Sequence, residues 1–237
     1  MSIARSLLYA LGNVLHPRML WLMLWPMLVA IALWGTAALF VWAGLAVRLA
    51  AWLERGLDWA LSWAHLDLQA VSLVAANVLL FLSFVPLVYL TALFILSLFG
   101  MQKMVEHVAS RAFPGLERRH GGGVAGSGLN GVVALFGMLG LLALSIPFWF
   151  FPPLWPLIPI VVFGWTNQRL LRYDALAEHA DANEMAHLFR TRRGGLYALG
   201  ALLALAAYVP VAGFFAPVLF GLAFIHYLLG ALAALRT

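Results

Sequence analysis

The sequence predicts an all-α integral membrane protein. The expected architecture is two long transmembrane helices, two proline-broken, half-penetrating helical hairpins, and an N-terminal interfacial helix. Three observations predict it. Apolar residues fill 65% of the 237 positions and charged residues only 10%, against about 45–50% and about 25% in a soluble domain. Four stretches, 19–47, 68–101, 129–166 and 196–235, each exceed the ~20 apolar residues that cross a bilayer. The evenly spaced alternating strands of a transmembrane barrel are absent, and without water to satisfy the backbone only helices remain.

The whole chain reads as a single membrane domain, 1–237. Residues 2–15 read as a surface helix, with Ile3, Leu7, Leu8, Leu11, Val14 and Leu15 on one face and Arg5, Ser6, Tyr9 and Asn13 turned away from it. Such a helix lies in the membrane interface. His16-Pro17 then redirects the chain. The first long helix is expected over 17–65, kinked at Pro26, with Trp52, Trp59 and Trp63 at headgroup depth and Arg48, Glu54, Arg55, Asp58 and His65 on the opposite face. The second is expected over 68–112, with Pro86 inside it and Phe113-Pro114-Gly115 ending it. Residues 113–128 hold six glycines beside Arg118, Arg119 and His120 and read as a flexible loop.

Two apolar stretches then break near their middles. The first hairpin, 129–173, turns at Pro147, Pro152 and Pro153, and the second, 194–236, at Pro210, Gly213 and Pro217. Clustered prolines cannot continue a helix. Each arm has about 15–20 residues, marginal for crossing, which favours partial penetration; the charge pattern leaves full crossing open. A polar connector, 174–193, joins the hairpins, with a short helix near 181–189.

Charge orients the chain. Placing both termini, 102–128 and 168–193 on the cytoplasmic side gathers twelve of the fourteen Lys and Arg residues there. In this setting a formal charge of +5 orients the chain in its membrane rather than serving nucleic acid. The N-terminus, with Arg5 as its one early basic residue and Gly12, Asn13, His16 and Pro17 interrupting its apolar run, does not read as a cleavable signal. The chain has no cysteine, which excludes disulfides, thiol catalysis and iron–sulfur ligation.

Several short motifs recur in a recognisable order. They are Leu24-Trp25-Pro26-Met27-Leu28 in the first long helix, and Arg172-Tyr173-Asp174 after the first hairpin. Phe189-Arg190-Thr191-Arg192-Arg193 and then Gly200 precede the second hairpin, and Pro210, Gly213, Pro217 and Gly221 lie within it. In order and spacing they resemble CysZ-type membrane proteins, the bacterial branch of the etoposide-induced-protein family, over nearly the whole chain. The resemblance implies two long membrane helices, two half-penetrating hairpins and a homo-oligomer. It also implies the bacterial inner membrane and a role in sulfate uptake for cysteine synthesis. Sulfate-handling members carry a Gly-Ile-Arg-Arg turn where the first long helix begins. Aligned on Pro26, that turn falls on Arg18, Met19, Leu20 and Trp21, which lack the glycine and the arginine pair.

The candidate anion-binding residues are therefore Arg18 and Met19 at that helix start, and Arg190, Arg192 and Arg193 before the last hairpin. Helix N-termini and arginine forks both suit an oxyanion; the same arginines also suit lipid headgroups and the positive-inside pattern. Asn77, Ser83, Asn130 and His226 lie within apolar segments, as pathway residues or as interhelical hydrogen-bonding groups. Asp174, Glu178, His179, Asp181, Glu184 and His187 crowd one segment, with His179, Asn183 and His187 at helical spacing, but no HExxH is present. No metal, cofactor or catalytic set is expected, so the chain is not read as an enzyme. The expected function is a permease or channel for a small inorganic oxyanion, sulfate by resemblance, running down a gradient. The alternative is a non-transporting membrane scaffold of the same fold that has lost the anion site. Membrane lipid is the other expected partner.

Overall fold

The computed structural model describes residues 2–60, 68–206 and 208–237. No strand occurs among them. The helices are α1 (Ile3–Val14), α2 (Pro17–Ala60), α3 (Leu68–Ala112), α4 (Val124–Ser145), α5 (Leu157–Leu176), α6 (Ala182–Thr191), α7 (Arg193–Ala206) and α8 (Pro210–Arg236), with two 3₁₀ turns, Ile146–Phe150 and Pro152–Leu154, between α4 and α5. Among the described residues, four segments are long and apolar enough to cross a membrane: Pro17–Asp58, Leu68–Leu96, Ala125–Phe150 and Phe215–Arg236. The expected continuation of the first long helix to residue 65, with Trp63 and His65, lies outside the described residues.

The chain forms two units, one of residues 21–98 and one of residues 1–20 and 99–237. The first is built from the long arms of α2 and α3. Pro26 and Pro86 lie inside these helices without ending them. Ala30, Val88 and Ala92 are buried together, with Met27, Trp34 and Phe84 packed around them; small residues let two helices approach closely where lipid offers no hydrophobic drive. Two indoles tie the arms together: Trp34 Nε1 donates to Thr91 Oγ1 at 2.9 Å, and Trp42 Nε1 to Asn77 Oδ1 at 2.9 Å. Asn77 is thus interhelical glue, and Ser83 bonds back to its own helix at Leu79 O. Outward residues such as Leu39 and Phe40 are 85% and 83% exposed, a surface suited to lipid rather than water.

The second unit is organised around α8. Residues 218–232 are all buried, and α1, α5, α6 and α7 pack on this helix. A segment that hydropathy reads as an arm facing lipid is therefore a core helix. α5 crosses α7 where Gly164 meets Gly200: a Cβ on Gly200 would strike the Gly164 carbonyl. α4 pairs antiparallel with α5, Asn130 Nδ2 donating to Arg169 O at 2.9 Å and Ser127 Oγ to Asp174 Oδ1 at 2.6 Å.

Three expectations change. The N-terminal helix does not divide into a buried apolar face and an exposed polar one: Ser6 is buried together with Ala10 and Val14, while Arg5, Leu8, Leu11 and Leu15 are exposed. The reason is that α8 presents His226, a polar group that needs a partner inside the unit. The glycine-rich segment is not a free loop. His120, Gly121 and Gly122 donate backbone hydrogen bonds to Glu178, Ala180 and Ala177, and a Cβ on Gly121 would strike the Ala180 carbonyl. Its last residues already belong to α4, which starts at Val124 behind the extended Gly123. The second hairpin breaks earlier than its prolines imply. Pro210 begins α8, while Gly213 and Pro217 lie within it. Proline suits the first helical turn because its missing N–H has no partner there anyway, and the carbonyl that Pro217 leaves unbonded belongs to a glycine.

Candidate anion site

α1 ends at Val14, and α2 starts at Pro17 in the first-turn position. Between them the backbone folds tightly: Met19 N and Leu20 N both donate to His16 O, at 2.8 and 3.0 Å. Arg18 N donates to His16 Nδ1 at 3.2 Å, so this imidazole nitrogen acts as an acceptor. Arg18 is exposed and Met19 is buried, 3% accessible. Met19 is therefore a packing residue, and its backbone N–H is already committed to His16 O.

The end of α3 meets this turn. His107, 5% accessible, lies with its ring 4.9 Å from that of His16. His107 Nε2 is 3.2 Å from Asn13 Oδ1. The Asn13 amide nitrogen donates to Tyr9 O at 2.9 Å, so Oδ1 is the acceptor and Nε2 carries the proton. His107 Nδ1 is then a buried acceptor with no partner. Arg111, one turn further on, reaches the same Asn13 oxygen at 3.5 Å. Burial first, and then the charges of His16, Arg111 and Arg18, hold His107 below the ordinary imidazole range. Among the described residues no carboxylate pairs with Arg18 or Arg111. The arrangement is a concentration of positive charge at a helix N-terminus, without an acid to neutralise it, which favours an anion.

His107 and Arg111 were absent from the sequence-derived candidates. Their signal was present: Lys103, His107 and Arg111 recur at i, i+4, i+8, one face of the last turns of α3. Arg190, Arg192 and Arg193 do not join the cluster. Arg190 is exposed on α6, Arg192 caps that helix, and Arg193 opens α7 with its guanidinium 5.7 Å over Tyr197. Pro147, Pro152 and Pro153 lie in the 3₁₀ turns between α4 and α5. His226 is used internally, sharing a 3.1 Å hydrogen bond with Ser6 and stacking on Tyr9 at 4.2 Å. The run of acids and histidines does not form one helical face either, because α6 starts only after Asp181, leaving His179 in the preceding turn.

The apolar helices and their surfaces define a multi-pass helical membrane protein. The chain belongs to the family of the sulfate transporter CysZ and etoposide-induced protein 2.4, whose sequence profile matches residues 6–217. No curated protein and no solved structure matches it.

Proposed function

We propose that the protein is a gradient-driven permease or channel for a small inorganic oxyanion, sulfate first among them, in the bacterial inner membrane. One observation carries this reading. The helix start that lacks the family's arginine pair at Leu20 and Trp21 is joined from α3 by Arg111 and His107, so Arg18 is not a lone cation. Family membership supports the choice of sulfate. The reading includes no catalytic step, cofactor or metal, and assigns the chain no enzyme activity. It takes the protein to work as a homo-oligomer with both termini cytoplasmic.

In the same reading the first hairpin enters the bilayer and turns back. Asn130 and Arg169 share a level through their 2.9 Å hydrogen bond. From there to the turn, α4 contributes residues 131–145 and α5 residues 157–168, about 22 and 18 Å of helix, less than the ~30 Å hydrocarbon core, although the whole apolar segment Ala125–Phe150 has the length to cross. The turn between them is uncharged, with Phe148, Trp149, Phe150, Phe151 and Trp155 exposed.

The competing reading is a scaffold that kept the fold and lost transport, favoured by the missing glycine and arginine pair of the α2 turn. Radiolabelled sulfate uptake into proteoliposomes separates the two. Transport requires protein-dependent influx that Arg18→Ala and Arg111→Ala each slow about tenfold, the loss of one charge-assisted contact. Influx equal to that of protein-free vesicles would sink the permease reading.

A further inference from the structure

Away from the α2 turn, a second group of cations is built around α5 and the start of α7. Arg169 and Arg172 lie three residues apart on α5, on one face. Arg172 is fixed from two sides. Its Nη1 donates to Gln168 Oε1 at 3.3 Å, from a glutamine only 2% accessible, and its guanidinium lies 4.6 Å over the Phe189 ring of α6. Arg193 opens α7, the helix that crosses α5 at Gly164 and Gly200, and stacks on its own Tyr197.

These cations lack anionic partners. The Nε–H groups of both Arg169 and Arg172 are buried with no hydrogen-bond partner. Among the described residues no carboxylate lies within ion-pair distance of Arg169, Arg172 or Arg193. Asp174, nearby in sequence, is used by Ser127. Burial, with the like charges of Arg169 and Arg193, draws Arg172 down to about 10; it remains a cation at neutral pH. A buried donor left without a partner is costly, more so when it is charged. Positively charged groups brought together without an anion form a site that is incomplete as it stands.

The position narrows the ligand. On α5 the residues before Thr166 are apolar, and on α7 those after Tyr197 are apolar. The arginines therefore sit where both helices change from apolar to polar, the level at which a headgroup meets acyl chains. Arginine forks match the paired oxygens of a tetrahedral oxyanion.

We propose that Arg169, Arg172 and Arg193 hold a phosphate-type oxyanion, in which Arg172, pre-oriented by Gln168 and Phe189, makes the central contact. The same chemistry is offered by the phosphodiester of an anionic lipid and by a free inorganic anion. The site is separate from the one at Arg18, and its tests read binding rather than flux, so its failure leaves the permease reading untouched.

The test uses the full chain in neutral detergent, stripped of lipid, in an Arg18→Ala background that weakens the first site. One arm titrates phosphatidylglycerol and counts bound lipid by native mass spectrometry, with phosphatidylcholine as the uncharged comparison. The other titrates inorganic phosphate and sulfate against thermal stability. Arg172→Gln and Arg169→Gln are expected to weaken binding about tenfold or more in at least one arm. Arg190→Gln, which removes an equal charge from an exposed position on α6, is expected to leave it within twofold. The arm that responds identifies the source of the oxyanion. Arg172→Lys keeps the charge but loses the fork and is expected to bind at an intermediate level; it replaces Arg172→Gln if that variant does not elute as a folded species. Equal loss in Arg190→Gln and the α5 variants would reduce the site to a diffuse surface field and overturn the proposal. So would the absence of saturable binding in both arms.

Discussion

Arg236 and Glu184 are joined by two parallel hydrogen bonds, Nε to Oε1 at 2.9 Å and Nη2 to Oε2 at 2.8 Å. The pair fastens the end of the buried helix α8 to the first turn of α6. The remaining arginine donors go to Glu117 O and His179 O, at 2.8 and 2.7 Å, so one side chain also holds the glycine-rich segment and the turn after α5. Glu184 in turn completes a capping box with Asp181, each side chain accepting from the other's backbone N–H.

This latch has a pH signature. The Arg236 hydrogen bonds hold the Glu184 carboxyl down to about 2, against an opposing push from burial. A depressed carboxyl stabilises the fold above its unfolded value and loses that contribution as pH falls towards the folded one. The stabilisation should be complete above about pH 5 and fade below about pH 4. Glu184→Gln is expected to lower stability at pH 7 by about 3 kcal/mol, the scale of breaking one side of a buried pair. Thermal unfolding in detergent checks both points: the wild type should lose stability between pH 5 and 3 more steeply than Glu184→Gln. Parallel slopes would remove the latch from the account.

A second prediction concerns the crossing of α5 and α7. A Cβ on Gly200 would strike the Gly164 carbonyl, whereas one on Gly164 would sit 3.2–3.4 Å from the backbone of Gly200 and Ala201. Backbone cannot swing aside as a side chain can, so Gly200→Ala should be destabilising by about 1–3 kcal/mol, the range for overpacking, and Gly164→Ala by less. Gly12, in α1, has nothing within 4 Å of its Cβ position, and Gly12→Ala should gain up to about 1 kcal/mol from helix propensity alone. Chemical denaturation ranks the three; Gly200→Ala more stable than Gly12→Ala would contradict the close approach.

Much of this architecture was legible in the sequence, and the reasons for the rest are physical. The helix boundaries at Pro17 and at Phe113-Pro114-Gly115 could be read because proline and glycine act locally. The burial of α8 could not. Leu222, Ile225 and Leu229 are equally apolar whether they face lipid or protein, so hydropathy is blind to the difference. Only Ser6 and His226, polar groups in apolar surroundings, hinted that α1 and α8 face each other. The glycine-rich segment misled for a similar reason: glycine serves flexibility and close backbone approach alike, and at Gly121 and Gly122 the second use prevails. The anion cluster was half visible, because Arg18 lies beside a helix start while Arg111 and His107 arrive from about ninety residues away in sequence.

A third prediction addresses the two arms of residues 21–98. The 2.9 Å bond from Trp42 to Asn77 lies between apolar helices, where such bonds contribute about 0.6–1.7 kcal/mol. Asn77→Leu keeps the branched shape but leaves the indole N–H unpaired, and should destabilise by about 1 kcal/mol. Trp42→Phe in the same background should add little further loss, because the bond is already gone. A double-mutant cycle by steric-trap or denaturant unfolding in bicelles measures the coupling, and a coupling near zero would assign the contact to packing alone.

The last prediction links His107 to the anion. Burial and the charges of His16, Arg111 and Arg18 depress its pKa, so the imidazole remains neutral below the pH at which a free histidine takes up its proton. An oxyanion bound beside Arg18 and Arg111 would offset those charges and raise the His107 pKa towards its ordinary value. By linkage the anion must then bind more tightly as pH falls through about 6.5, with uptake of a fraction of a proton. Sulfate itself does not titrate in this range, so the dependence belongs to the protein. His107→Asn should flatten it while leaving affinity at pH 8 little changed, whereas Arg111→Ala should weaken binding at every pH. Isothermal titration with sulfate in two buffers of different ionisation enthalpy reads the proton count directly. Proton release on binding would place the anion away from His107 and remove this histidine from the site.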